Sequence, residues 1–308
     1  MKTLKLLFLV ITVLLLSSCK KDKSADENIG NSNMIINHNC TKLSQIPQSA
    51  ITNAKSTLHI AYGHTSHGSQ LTEGMSGLAT WKGTLYAWNR GGTNGALDIQ
   101  DFYGSFGGSG ASDLGNPNYT AWEAATRTYL AANSNINVII WSWCGEVSSA
   151  SEQNITNYCS LMSGLETDFP KVKFVYMTGH LEGTGLEGNL HIRNEQIRKY
   201  CKDNKKILFD FADIECYAPD GVYYGDKYPT DGCTYDANGD GSTSQTGDPD
   251  YPISGSGDKN WAVDWQTSHT VNVDWYQCGS AHSQPLNANQ KAYAAWWLWA
   301  RLAGWNGQ

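Results

Sequence analysis

Four short apolar runs, separated by stretches of helical spacing, organise the chain between residues 58 and 211. The first, Leu58-His59-Ile60-Ala61-Tyr62, leads straight into Gly63-His64-Thr65-Ser66-His67-Gly68-Ser69. The others, at 137–144, 172–177 and 207–211, are continuous enough to predict strands buried on both faces. Apolar residues at helical intervals predict helices over 119–132, 151–169 and 189–203. A last helix over 287–302 carries Tyr293, Trp296, Trp297 and Trp299. Strands alternating with helices imply βαβ units, a parallel sheet and an α/β fold class. Such sheets bind ligands at the carboxyl ends of their strands, and 64–68, 145–146 and 179–180 all fall at such ends.

The amino terminus is of a different kind. Lys2 and Lys5 precede an apolar stretch over 6–16, which predicts a signal peptide over 1–18 and is short for a membrane span. It closes on Leu16-Ser17-Ser18-Cys19, which resembles a bacterial lipobox and implies acyl chains on Cys19. The polar residues 19–45 predict a disordered tether. Together these place the protein in the bacterial cell envelope, held to a membrane by a lipid anchor on Cys19 and lying in an oxidising compartment.

Residues 46–308 are about the size of one large domain. The net charge is −7 and basic residues come together at most in pairs such as Lys20-Lys21, which disfavours nucleic acid as a partner. The 12 Trp and 16 Tyr suit either stacking on sugar rings or aromatic packing in a core. If Cys19 of the eight cysteines is lipidated, seven remain, so at most three disulfides form. Cys159 with Cys201 and Cys216 with Cys233 are the candidate pairs.

The candidate chemistry starts from Ser66, on a sharp strand-to-helix turn, and His282, late in the chain in Cys278-Gly279-Ser280-Ala281-His282-Ser283. A serine hydroxyl is a weak nucleophile and needs an imidazole to take its proton. The plain alternative is that Ser66 is a helix N-cap. His64 and His67 flank Ser66, while His180, His191, Glu146, Glu182 and Arg193 fall in the same region of the predicted topology. Histidines with a tyrosine could instead act as base and acid in β-elimination on a uronate, with Arg193 holding the carboxylate.

These segments resemble the SGNH, or GDSL-type, hydrolase superfamily over about residues 57 to 303. The strand into His64-Thr65-Ser66-His67-Gly68 resembles the family's first block, 194–200 with 207–213 the helix and strand before its last block, and Ala281-His282-Ser283 the last block itself. The resemblance implies a three-layer α/β/α fold with a flavodoxin-like parallel sheet. It also implies ester hydrolysis by Ser66 and His282 without a catalytic cofactor, and oxyanion or substrate contacts from Gly108, Gly145, Glu146, His64, His67, His180 and Arg193. A polysaccharide or oligosaccharide ester is the expected substrate; a lyase, or a glycan-binding protein without catalysis, is the alternative. Gly-Asp-Ser-Leu is absent, Trp143-Cys144-Gly145-Glu146 stands where the family has Gly-x-Asn-Asp, and Gly279 stands where it has the orienting Asp. Asp274 is the candidate substitute.

An insertion at about 217–265 contains Asp236-Ala237-Asn238-Gly239-Asp240-Gly241-Ser242. Its spacing of oxygens matches a calcium loop, with Asp236, Asn238, Asp240 and Ser242 as metal ligands of a structural Ca2+. Gly247 occupies the position of the usual bidentate Glu, which Asp248 or Asp250 would have to replace.

Overall fold

The computed structural model describes residues 33–243 and 257–308. In chain order the strands are β1 (Met34–Ile36), β2 (His59–His64), β3 (Trp88–Asn89), β4 (Leu97–Tyr103), β5 (Val138–Trp141), β6 (Lys173–Met177) and β7 (Ile207–Phe209), followed by the short pair β8 (Thr234–Tyr235) and β9 (Lys259–Asn260). The helices are α1 (Gln48–Thr57), α2 (Ser69–Lys82), α3 (Ala121–Ala132), α4 (Glu146–Ser149), α5 (Glu152–Asp168), α6 (Asn189–Asp203), α7 (Phe211–Glu215), α8 (Trp261–Ser268) and α9 (Pro285–Leu302). Strands β1 to β7 form one sheet in the order β1-β7-β6-β5-β2-β4-β3, and every neighbouring pair is parallel. Helices flank the sheet as a three-layer α/β/α fold.

Setting aside the edge strands β1 and β3, the order β4-β2-β5-β6-β7 is the flavodoxin-like arrangement. The direction of winding reverses between β2 and β5, so a crevice is expected beyond the carboxyl ends of that pair. Both strands read as apolar runs because both faces are covered. Ile60, Ala61 and Tyr62 of β2 and all of β5 are buried.

One region differs from the sequence expectations. The tether was expected to reach residue 45, yet Met34-Ile35-Ile36 forms β1 and pairs in register with Ile207-Leu208-Phe209. Three apolar residues in polar surroundings are too short a pattern to signal a strand, and only the open edge of β7 gives them a place. Of the two uses expected of the tryptophans, packing in the core is the commoner. Trp122, Trp141, Trp143, Trp261, Trp275, Trp296, Trp297 and Trp299 are buried. The residues 1–18 and Cys19 lie outside the described part, and no described helix is long and apolar enough to cross a membrane. All cysteines among the described residues are free thiols, so neither Cys159–Cys201 nor Cys216–Cys233 is joined.

Helix α9 explains how the carboxyl end of the chain is held. Only Pro285, Tyr293 and Arg301 of its 18 residues escape full burial. Its polar residues must therefore find partners inside the protein. Asn289 donates to the Tyr276 and Pro285 carbonyls and accepts from the Tyr276 amide; Gln290 donates to the Tyr217 carbonyl. Helix α2 packs on α9 at Gly74, where a Cβ would stand 2.1 Å from the Ala288 carbonyl oxygen.

That close approach gives a first prediction. Gly→Ala in a helix interior normally stabilises by about 1 kcal/mol. At Gly74 the added methyl meets backbone that cannot swing aside, and overpacking of this kind costs about 1–3 kcal/mol. Gly74→Ala is expected to lower the denaturation midpoint, measured by urea unfolding; a raised midpoint refutes the close packing of α2 on α9.

Candidate functional site

Three chain segments that end strands, and two loops, converge beyond the carboxyl ends of β2, β5 and β6. After β2 the chain turns sharply through Ser66-His67-Gly68 into α2. Gly68 is required there, since a Cβ would fall 2.3 Å from Ser142 Oγ and 2.5 Å from His64 Cβ. The turn brings the His67 ring between two other segments. Its Nδ1 lies 3.4 Å from Cys144 Sγ, just past β5, and its Nε2 lies 3.3 Å from Asp231 Oδ2. Past β6, the His180 ring stacks on His67 with ring centroids 3.6 Å apart. His180 Nδ1 donates to the Leu181 carbonyl at 3.1 Å and stands 4.0 Å from Asp231 Oδ1. Its Nε2 is buried without a hydrogen bond, 3.7 Å from Glu182 Oε1.

Asp231 reaches this place through a short bridge. The Asp231 amide donates to the Leu181 carbonyl and the Gly183 amide to the Pro229 carbonyl, and Glu182 pairs with Thr230 in antiparallel fashion. The Asp231 carbonyl accepts from Ser283 Oγ and from Asn287 Nδ2 of α9. The insertion is thus fastened across the end of β6.

His282 completes the cluster, with its ring centroid 4.8 Å from that of His67. It is exposed and has φ of 60°. Left-handed backbone at a non-glycine residue is uncommon and persists where the surroundings impose it. Here the Ala281 amide donates to Glu73, Gln70 Nε2 donates to the Ala281 carbonyl, and the Ser283 amide closes a turn on Ser280.

Beneath the cluster lies a fully buried ion pair. Lys291 Nζ of α9 donates to Glu215 Oε1 at 2.6 Å and also to Gln70 Oε1, and it sits 3.8 Å over the Phe211 ring. Glu215 Oε2 accepts from the Leu181 amide.

The electrostatics follow from this burial. Desolvation, with the neighbouring His180, His282 and Lys291, pushes His67 down to about 2. Desolvation likewise lowers His180 to about 4, so both rings are neutral at neutral pH. Burial, then the Glu215 carboxylate, raises Asp231 well above the ordinary range. Burial also raises Glu215 in spite of Lys291. Cys144 is raised by burial, with Glu146 and Asp113 adding to the effect.

The structure therefore brings His67, His180 and His282 together and places the other expected residues around or away from them. Ser66 adjoins His67 in the turn. Gly145 lies beside Glu182, whose Oε1 would be 3.2 Å from a Cβ there. Glu146 turns back to accept from the Cys144 amide. His64 is buried on the other side of β2, with Nε2 2.6 Å from Asp101 Oδ1 and its ring stacked on Tyr62. Gly108 lines a separate cavity with Phe106 and Tyr129, and Arg193 donates to Gln196 on α6. Asp274 is exposed and accepts from the Thr270 amide; the acid beside the imidazoles is Asp231.

In the acidic loop, Asp236 accepts from the Gly239 and Gly241 amides, and Asp240 from the Ser242 amide and hydroxyl. Asn238 accepts from the Asp240 amide and donates back to Asp240 Oδ2. The loop oxygens face the loop's own donors, and the calcium expectation rests on the sequence spacing alone. Gly247, Asp248 and Asp250 lie outside the described residues.

Sequence reasoning missed Asp231, Glu215, Gln70 and Lys291. Asp231 stands before a glycine in a loop already rich in Asp-Gly turns, and so reads as one more turn. Lys291 carried a usable signal, a lysine set among the apolar and aromatic residues of the last helix. No known family profile and no curated protein matches this chain.

Removing one member of a buried ion pair leaves an uncompensated charge and costs about 3–5 kcal/mol. Lys291→Met is expected to destabilise by that order in a denaturation series. Lys291→Met with Glu215→Leu is expected to recover part of the loss; a double variant no better than the single would show that the pair is not the unit that matters.

Proposed function

We propose that the protein is a hydrolase acting on esters of a glycan at the histidine cluster. His282 is the general base and Ser66 the nucleophile. The observation that carries this reading is the presentation of His282. It is an exposed imidazole on backbone held at positive φ by Gln70 and Glu73, poised over His67 at the switch point of the sheet. In the reaction, Ser66 Oγ attacks the ester carbonyl while His282 takes its proton. The tetrahedral adduct then expels the glycan alkoxide, which receives that proton from His282. Water, deprotonated in turn by His282, releases the acid and restores the serine. The polar lining of imidazoles and carboxylates suits a hydroxylated substrate, and the lipid anchor inferred at Cys19 would keep the enzyme at the cell envelope. A second reading, β-elimination on a uronate glycan, is favoured by one fact: three imidazoles crowd together.

Ser66→Ala and His282→Ala are each expected to lower hydrolysis of a chromogenic acetate and an acetylated oligosaccharide by about 10²-fold or more. The double variant is expected to lose little beyond the worse single one, because the two groups act as a unit. Full ester hydrolysis by Ser66→Ala, or ultraviolet-absorbing unsaturated products from a uronate glycan, removes the hydrolase reading and leaves elimination.

A further inference from the structure

We propose that His67, His180 and Asp231 form a binding site for one divalent transition-metal ion of the zinc type. Each offers one ligand atom, and the three atoms lie within 4.8 Å of one another. The spacing fits the chemistry. Two bonds of about 2.0–2.1 Å at the tetrahedral angle put their donor atoms about 3.3 Å apart. His67 Nε2 and Asp231 Oδ2 are 3.3 Å apart.

Three further observations point to a cation. First, His180 is 5% exposed and its Nε2 has no hydrogen-bond partner, an unusual state for a buried ring nitrogen. Second, the neighbours of the His180 ring are acceptors at both edges, the Leu181 carbonyl and Asp231 at Nδ1 and Glu182 at Nε2. A neutral imidazole has one N–H and cannot answer acceptors at both edges. Third, the Asp231 carboxyl stands between two imidazoles with no lysine or arginine paired to it among the described residues, while the nearby Lys291 is paired with Glu215. Buried charge without a partner is costly, and a divalent ion beside Asp231 supplies the missing positive charge.

The ligand types select the metal. Two imidazoles with one carboxylate suit zinc and its neighbours better than calcium or magnesium, which prefer oxygen alone. Three protein ligands leave the fourth position open, the arrangement of sites that bind water or substrate rather than of structural ones. Backbone contacts hold the set in place: the Leu181 carbonyl accepts from His180 Nδ1, and Ser283 and Asn287 hold the Asp231 carbonyl. The site stands whether or not the hydrolase reading holds, since its content is metal binding.

The test is zinc binding by the full-length protein after treatment with chelator, followed by calorimetry and by elemental analysis after dialysis. One equivalent is expected for the wild type. His67→Asn, His180→Asn and Asp231→Asn are each expected to weaken binding by about tenfold or more. Asp236→Asn in the acidic loop and Asp274→Asn are expected to bind as the wild type does. Circular dichroism on each variant separates lost binding from lost folding, and cobalt absorption of the wild type gives a readout that needs no variant. Tetrahedral cobalt bands without a thiolate charge-transfer band are expected from this ligand set. No stoichiometric zinc uptake by folded wild type overturns the proposal, as does uptake unchanged in folded His180→Asn and Asp231→Asn. A thiolate band also overturns it, since the metal would then be held by cysteine.

Discussion

The buried pair between Lys291 and Glu215 fixes the arrangement on which the candidate site stands. Lys291 comes from the last helix, Glu215 from the end of α7, Gln70 from α2, and the Leu181 amide from the segment after β6. Four segments distant in sequence therefore share one small polar knot with no exposure to water. Such a pair contributes little to net stability, because desolvation of both ions offsets most of their attraction. Its effect is on specificity: each partner has one place where its charge is answered. Gln70, held by Lys291, donates to the Ala281 carbonyl beside His282, and the Glu215 carboxylate holds the amide next to His180. The knot thus sets the positions of two imidazoles.

Topology explains why residues so far apart meet. All strands of a parallel sheet point the same way, so every loop leaving a strand emerges on one edge. His67 follows β2, Cys144 follows β5, and His180 follows β6, the three central strands. Asp231 and His282 come from outside the sheet and need added devices: the bridge of 181–183 with 229–231 and the pinned turn at 280–283.

The central strands and their helices were legible because double burial leaves long apolar runs. The spacing over 189–203 gives α6 with its observed ends, and the run at 172–177 differs from β6 by one residue. The segment 69–82 did not announce itself as α2, since Gly74 and the hydroxyl residues on it break the amphipathic pattern that its packing on α9 does not need. The site was legible only by half. His64 and His67 look alike in sequence, yet His64 still belongs to β2 and turns toward Asp101 of β4, whereas His67 lies in the turn and reaches toward β5. Three residues of backbone decide which histidine is packed away and which enters the cluster. The acids of the cluster were illegible because their role depends on burial, which a loop aspartate and a short helix do not display in sequence.

One arrangement in the cluster invites a different chemistry and is excluded by its electrostatics. Cys144, His67 and Asp231 stand in line, sulfur to Nδ1 and Nε2 to carboxylate, as in a thiol triad. A cysteine nucleophile needs surroundings that favour the thiolate: a cationic imidazole, a basic side chain or the start of a long helix. Cys144 has the opposite. Burial raises its pKa, Glu146 and Asp113 raise it further, and His67 is held in the neutral form at any physiological pH. An uncharged thiol beside an imidazole that resists protonation cannot form the ion pair on which such catalysis runs. The same field acts otherwise on a hydroxyl or a water. These need only a base that accepts a proton at the moment of attack, and His282 is the exposed imidazole of the three.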